Sequence, residues 1–155
     1  SGKDENKRAP MYWSKDDKAE GMCKGPADME DFQMKFDSLE EQQEDPDSIY
    51  NYVKQVIRVR NQNPVIARGT TAYLEQYSGE QCFALTRSYE GSNLLLLGNT
   101  SAEAVSVDLT GLTVGGTTAE ELVLLGELYT GEETAERAGT VVTLPAYSIL
   151  ILGEE

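Results

Sequence analysis

The sequence predicts a mainly β protein, an antiparallel sandwich or barrel that follows an irregular arm and one α-helix. Short runs of β-forming residues, separated by turn residues, fill the chain from residue 65 onward. A stripe of apolar residues at helical spacing marks residues 46–62, whereas residues 1–44 show no sustained period. At 155 residues, the chain is long enough for one ordinary domain plus an appendage.

The arm is long for a segment without predicted secondary structure. Gly21, Gly25 and Pro26 interrupt it, and it holds all 4 methionines of the chain. Irregular stretches of this length are uncommon inside a compact domain, so we expect the arm to lie on another folded body. The start at Ser1-Gly2, without an initiator methionine, also suggests a piece of something longer.

A charged run that ends in Pro10-Met11-Tyr12-Trp13 is the most distinctive part of the arm. The arm has no pattern that could build a core, so we expect Trp13 to pack on a partner body, inside this chain or outside it. The guanidinium of Arg8 offers a rigid fork that suits a carboxylate or sugar hydroxyls. The alternative is a surface arginine beside a hydrophobic anchor.

One helix is predicted over residues 46–62. Asp45 is a suitable N-cap and Pro46 suits the first helical position, while Asn63-Pro64 ends the pattern. Its apolar stripe consists of Ile49, Val53, Val56 and Ile57. A single amphipathic helix cannot bury such a stripe alone, so we expect it to dock on a sheet or on other helices.

Seven candidate strands follow the helix, and together they predict the sandwich or barrel. They cover residues 70–77, 81–89, 93–100, 104–109, 121–125, 140–144 and 147–152, with turns at Ser78-Gly79, Glu90-Gly91-Ser92, Gly115-Gly116 and Ala138-Gly139. The run from Leu94 to Leu97 should be a central strand covered on both faces. The run from Ser148 to Leu152 should be a second such strand that closes the domain.

Composition excludes several classes of function. With 13 basic and 27 acidic residues the formal net charge is −14, which disfavours binding to nucleic acid or to an anionic membrane. The chain has no histidine, which removes the usual general base and zinc ligand. Cys23 and Cys82 are too few and too far apart for a metal knuckle or a disulfide framework, and nothing in the sequence supports the one bridge that could join them. We expect no metal and no cofactor. Neutral ligands such as sugars remain compatible.

Two ordered motifs resemble the α-amylase superfamily of glycoside hydrolases, known as family 13. Many members carry a segment like Asp-Asn-x-Arg-Thr-Pro-Met-Gln-Trp-Asp or -Ser, and residues 5–14 read ENKRAPMYWS. A later family phrase, Asp-Ser-Ile-x-x-Tyr-x-x-x-x-Ile-x-Leu-Arg-x-x-Asn-Pro, is similar to residues 47–64, DSIYNYVKQVIRVRNQNP. Departures from these patterns include Ala9, Tyr12 and Val59.

The resemblance implies an architecture and a role. Family members have a (β/α)8 barrel followed by a Greek-key β-sandwich called domain C. By this likeness residues 1–64 would be the end of the barrel, with the loop after strand eight and the last helix, and residues 65–155 would be domain C. The parent would act on α-glucans, and Arg8 would help to hold the sugar together with a carboxylate from the barrel.

The catalytic carboxylates of the family come from earlier barrel strands, and their motifs are absent from this chain. Neighbouring pairs such as Asp16-Asp17, Glu120-Glu121 and Glu132-Glu133 fit solvated surface better than a catalytic pair. We therefore assign no catalytic residue and expect the chain alone to be an inactive scaffold that needs the missing barrel as its partner. In the isolated chain, Arg8 should lack a partner, and the uncovered helix stripe should favour self-association.

A different class of function is a free-standing carbohydrate-binding sandwich. Exposed aromatic side chains would then stack on sugar rings, and the candidates are Tyr73, Tyr77, Tyr89, Tyr129 and Tyr147. Retention on a glucan affinity gel separates the two hypotheses, because a pure scaffold predicts no retardation.

Overall fold

A computed structural model describes residues 4–30 and 34–154. Lys3, which opens the charged run, lies outside the described residues. The chain consists of two compact units, Ser1–Val53 and Lys54–Glu155. The domain boundary predicted after residue 64 stays a prediction.

The first unit holds two short helical segments that the sequence pattern did not indicate. A 3-10 turn spans Asp4–Arg8, and helix α1 spans Leu39–Glu44. The free amides at the start of α1 are all used, because Leu39 N donates to Tyr12 O over 2.9 Å and Glu40 N donates to Trp13 O over 3.1 Å. Carbonyls of the arm thus stabilise the start of a helix that is too short to be stable alone.

Helix α2, Ile49–Gln62, begins three residues later than predicted. Asp45 starts a turn instead of the helix, because its Oδ1 accepts from Asp47 N over 3.0 Å. The cap is Ser48, whose hydroxyl accepts from Asn51 N over 3.2 Å. The predicted end is confirmed, and Pro64 opens a further short helix, α3, Pro64–Arg68.

The described residues of the second unit, 54–154, form ten strands in three antiparallel sheets. The larger sheet has the order β1-β2-β3-β10-β7, with β1 at Thr70–Tyr73, β2 at Cys82–Tyr89, β3 at Ser92–Asn99, β7 at Val123–Leu128 and β10 at Ile149–Gly153. The second sheet has the order β4-β9-β8, with β4 at Val105–Asp108, β8 at Glu136–Ala138 and β9 at Val141–Leu144. A hairpin joins β5, Thr113–Val114, to β6, Thr117–Thr118.

One core joins the two larger sheets into a sandwich. Leu97 of β3 and Leu152 of β10 share a buried cluster with Val142 and Leu144 of β9. The chain crosses from the larger sheet to the second sheet between β3 and β4, and it returns between β9 and β10. Because β3 pairs with β10 and β4 pairs with β9, these two connections have the arrangement of a Greek key. The predicted mainly β, antiparallel Greek-key sandwich is confirmed. The pattern missed β5, β6 and β8, which are only two or three residues long.

The leucine-rich strand is central and covered on both faces, as predicted. Leu95 and Leu97 face the sandwich core, while Leu94, which is only 1% exposed, belongs to the opposite face. Helix α3 packs on β2 and β3. The end of α2 contacts the same sheet at Gly126, where an added Cβ would lie 2.9 Å from Val59 Cγ1. Glycine at this position therefore allows the helix to approach the sheet closely.

Candidate functional site

Arg8 lies at the end of the 3-10 turn that the first unit builds from residues 4–8. Its Nε is 3.4 Å from Asp4 Oδ2, and its Nη2 is 3.9 Å from Glu5 Oε1. The expectation that Arg8 lacks a partner in the isolated chain is therefore wrong. Charges three and four residues apart meet on one side of a helical turn, which is a signal that the sequence already contained.

The two ion pairs leave Arg8 accessible. Its side chain keeps 59% of its accessible surface, so the pairs are solvent-screened and contribute little to stability. Exposed donors of the guanidinium can still reach a ligand, because Arg8 carries five N–H groups in a planar fork.

The turn that carries Arg8 is fixed to the rest of its unit by an amide. Asn6 Nδ2 donates to Glu30 Oε2 over 3.1 Å, and Glu30 N donates to Asn6 Oδ1 over 2.9 Å. A shallow concavity of about 450 Å³ lies beside this contact and is lined by Glu5, Asp28, Met29 and Glu30. Its acidic lining does not suit an anionic ligand.

The segment after Arg8 is held by a capping box. Ser38 N donates to Glu41 Oε2 over 3.0 Å, and Ser38 Oγ accepts from Glu41 N over 3.5 Å. Glu41 also pairs with Lys15. The Lys15 ammonium, together with the Ser38 donors, lowers the pKa of Glu41 below its ordinary value. The contacts position the backbone of residues 12–15 against α1.

The apolar anchor of the arm remains accessible within this chain. Trp13 is 44% exposed and Met11 is 55% exposed, so the described part of the chain does not fully bury them, and the expected packing on a body outside this chain stays a prediction. The rings of Tyr12 and Phe36 meet edge to face with centroids 6.3 Å apart, and Phe36 is 62% exposed. An exposed aromatic and thioether surface thus lies in the same unit as Arg8.

The neighbouring acidic pairs and the carboxyl of Asp108 lack the features of a catalytic acid. Asp16-Asp17, Glu120-Glu121 and Glu132-Glu133 are all exposed, as expected for solvated surface. Hydrogen bonds from Thr110 lower the pKa of Asp108, and those from Thr118 lower the pKa of Glu121. A general acid needs the opposite shift, to a raised pKa.

The five tyrosines considered as sugar-stacking residues divide into two groups. Tyr77, Tyr89 and Tyr129 are half-buried. The hydroxyl of Tyr77 donates to Thr110 O over 3.2 Å, and that of Tyr129 donates to Glu127 Oε2 over 2.8 Å. Arg68 Cζ lies 6.0 Å from the centroid of the Tyr89 ring. Burial raises the pKa of Tyr129. Tyr73 and Tyr147 are 57% and 51% exposed. Only these two of the five candidates present an open ring to solvent.

Cys23 and Cys82 are free thiols. Within residues 4–30 and 34–154, no group of three or more potential metal ligands comes together. No helix in those ranges has the length and apolar character needed to cross a membrane.

Comparison with solved structures gives extensive matches. Amy13B of Eubacterium rectale is 38% identical, with a TM-score of 0.87, and the match covers 100% of this chain. The α-amylase from H. orenii is 22% identical over 94% of this chain with a TM-score of 0.65. The trehalulose synthase MutB is 23% identical over 93% with a TM-score of 0.68.

The matched proteins are much longer than this chain. The match covers 29% of Amy13B, 28% of the H. orenii α-amylase and 25% of MutB. No protein-family model matches the sequence, and comparison with curated proteins finds no match either.

Proposed function

From the premise that this chain belongs to the α-amylase family of glycoside hydrolases, as a C-terminal portion of such an enzyme, we propose that it is a non-catalytic scaffold. Residues 1–64 complete the barrel, with the arm along the substrate cleft, and residues 65–155 form the C-terminal sandwich. The parent enzyme hydrolyses α-glucans such as starch and maltooligosaccharides. The missing barrel is the principal partner.

The observation that carries this proposal is the match to Amy13B, which extends over 100% of this chain and 29% of that protein. A portion of this size can cap and shape a barrel without holding its catalytic groups. The pKa of Asp108 and that of Glu121 are lowered by hydrogen bonds, which does not suit either carboxyl to the role of proton donor.

We expect the purified chain to release no reducing sugar from starch, maltooligosaccharides or isomaltose. Retaining glycosidases need a nucleophile and an acid about 5 Å apart across the scissile bond, and the proposal places both in the barrel. A reducing-sugar assay checks this, with an active α-amylase as positive control. Turnover by a preparation free of host amylase would overturn the scaffold assignment.

The helix stripe gives a second expected result. Ile49, Val53 and Ile57 are 77%, 46% and 53% exposed and recur every four residues along α2. Burial of such side chains is favourable by roughly 1.5 to 3 kcal/mol each, so the isolated chain should self-associate. In sedimentation velocity, the average mass of the sedimenting species should rise with protein concentration. Val53→Asp should reduce this association. A strict monomer at high concentration would contradict this expectation.

A further inference from the structure

An open groove of about 690 Å³ lies where strand β1 ends, and Tyr73, Leu74, Glu75 and Gln76 line it. Its volume falls in the range of small-ligand sites. Tyr73 offers a ring that is 57% exposed, and Glu75 and Gln76 are exposed beside it. The lining combines one aromatic face with a carboxylate and a carboxamide, and it contains no cation.

The backbone under this groove is held rigidly. Leu74 packs against the sandwich core, and its amide donates to Ala84 O over 2.9 Å. Ser78 Oγ donates to Leu74 O over 2.9 Å and accepts from Ala84 N over 2.9 Å. Tyr77 is fixed through its hydroxyl to Thr110 O. The buried side of the turn is thereby anchored while Tyr73 and its polar neighbours stay in solvent, which is a preorganised arrangement.

The edge of the sheet adds further hydrogen-bonding groups. Among the described strands β1 pairs only with β2, so its other side is free. Pairing alternates along an antiparallel strand, and Leu74 N bonds to β2. The amide and carbonyl of Tyr73 consequently point away from β2, toward the edge of the sheet.

We propose that the Tyr73 groove is an α-glucan binding site on the sandwich. The apolar face of a sugar ring stacks on Tyr73, and the ring hydroxyls bond to Glu75 and Gln76. A neutral polyol fits this lining because the chain carries a net charge of −14 and Glu75 would repel an anion. The glucan identity of the ligand rests on the proposed function. Binding adds a sugar-binding role to the scaffold role, so the chain is expected to be retained by a glucan, which a pure scaffold would not be.

The test is native gel electrophoresis of the whole chain with and without soluble starch in the gel. The chain should be retarded by starch. Tyr73→Ala should lower the apparent association constant about five- to tenfold, since an aromatic contact is lost, while Tyr73→Phe should keep most of it. Gln76→Ala should weaken retardation to a smaller degree.

Tyr147→Ala is the matched control, because Tyr147 is 51% exposed but does not line the groove. It should be retarded like the unmodified chain. Circular dichroism confirms the fold of each variant. Absence of retardation of the unmodified chain, or equal retardation of Tyr73→Ala, overturns the groove assignment and leaves the scaffold proposal standing. Starch hydrolysis would overturn the scaffold proposal instead.

Discussion

Replacing Arg8 with lysine is expected to lower kcat/KM of the intact parent enzyme about ten- to a hundredfold, which corresponds to roughly 1.4 to 2.8 kcal/mol. Lysine keeps the charge but loses the planar fork that can bind two sugar hydroxyls at once. The pairs with Asp4 and Glu5 are exposed, so their loss should leave the melting temperature nearly unchanged. Steady-state kinetics on maltooligosaccharides and thermal unfolding measure both quantities.

Lys7→Ala provides the control for this experiment, since Lys7 is an exposed cation in the same 3-10 turn. It should leave both kinetics and melting temperature unchanged. If Arg8→Lys has the kinetics of the unmodified enzyme, Arg8 is a surface arginine beside a hydrophobic anchor. A large fall in melting temperature would make its role structural.

The ion pairs of Arg8 could have been predicted from the sequence. Asp4 and Glu5 precede it by four and three residues, so their pairing needs only one helical turn. The end of α2 was predictable for a similar reason, because Pro64 cannot continue the hydrogen-bond ladder. In both cases the deciding interaction joins residues that are close together in the sequence.

Features that depend on residues far apart in the sequence could not be predicted from local sequence patterns. Strand β8 has three residues with no alternation, and it is held by pairing with β9 and by Arg137, whose Nη1 donates to Leu122 O over 2.5 Å. The Tyr73 groove is similar, because its rigidity comes from Ala84 and Thr110. Which of the five candidate tyrosines are exposed is decided by packing that the local sequence does not encode.

Asn99 is the clearest example of such a feature, and its replacement is the second change that we expect to have a large effect. It is 3% exposed, and its Nδ2 donates to Glu103 O over 2.7 Å, to Leu144 O over 3.2 Å and to Pro145 O over 2.8 Å. Its Oδ1 accepts from Ser101 N over 2.9 Å. In the sequence, Asn99 is simply one residue of the predicted strand 93–100, yet its side chain ties together segments about 45 residues apart.

Asn99→Asp is expected to destabilise the chain by about 3 to 5 kcal/mol at pH 7, because it places a carboxylate oxygen against three carbonyl oxygens in a buried site. The folded state disfavours the charge, so the folded pKa of this carboxyl is raised above its unfolded value of about 3.9. The loss relative to the unmodified chain is therefore small near that pH and grows as pH rises toward the folded pKa.

Urea unfolding at about pH 4 and pH 7 tests the sign of this dependence, with the unmodified chain as reference so that its other acidic groups cancel. Asn93→Asp is the matched control, because Asn93 is only half-buried and its Nδ2 donates to a single carbonyl, that of Gly91. The control should show a much smaller change with pH. Equal destabilisation of Asn99→Asp at both pH values would show that the introduced carboxyl carries no charge penalty, and that the loss comes from the missing donor alone.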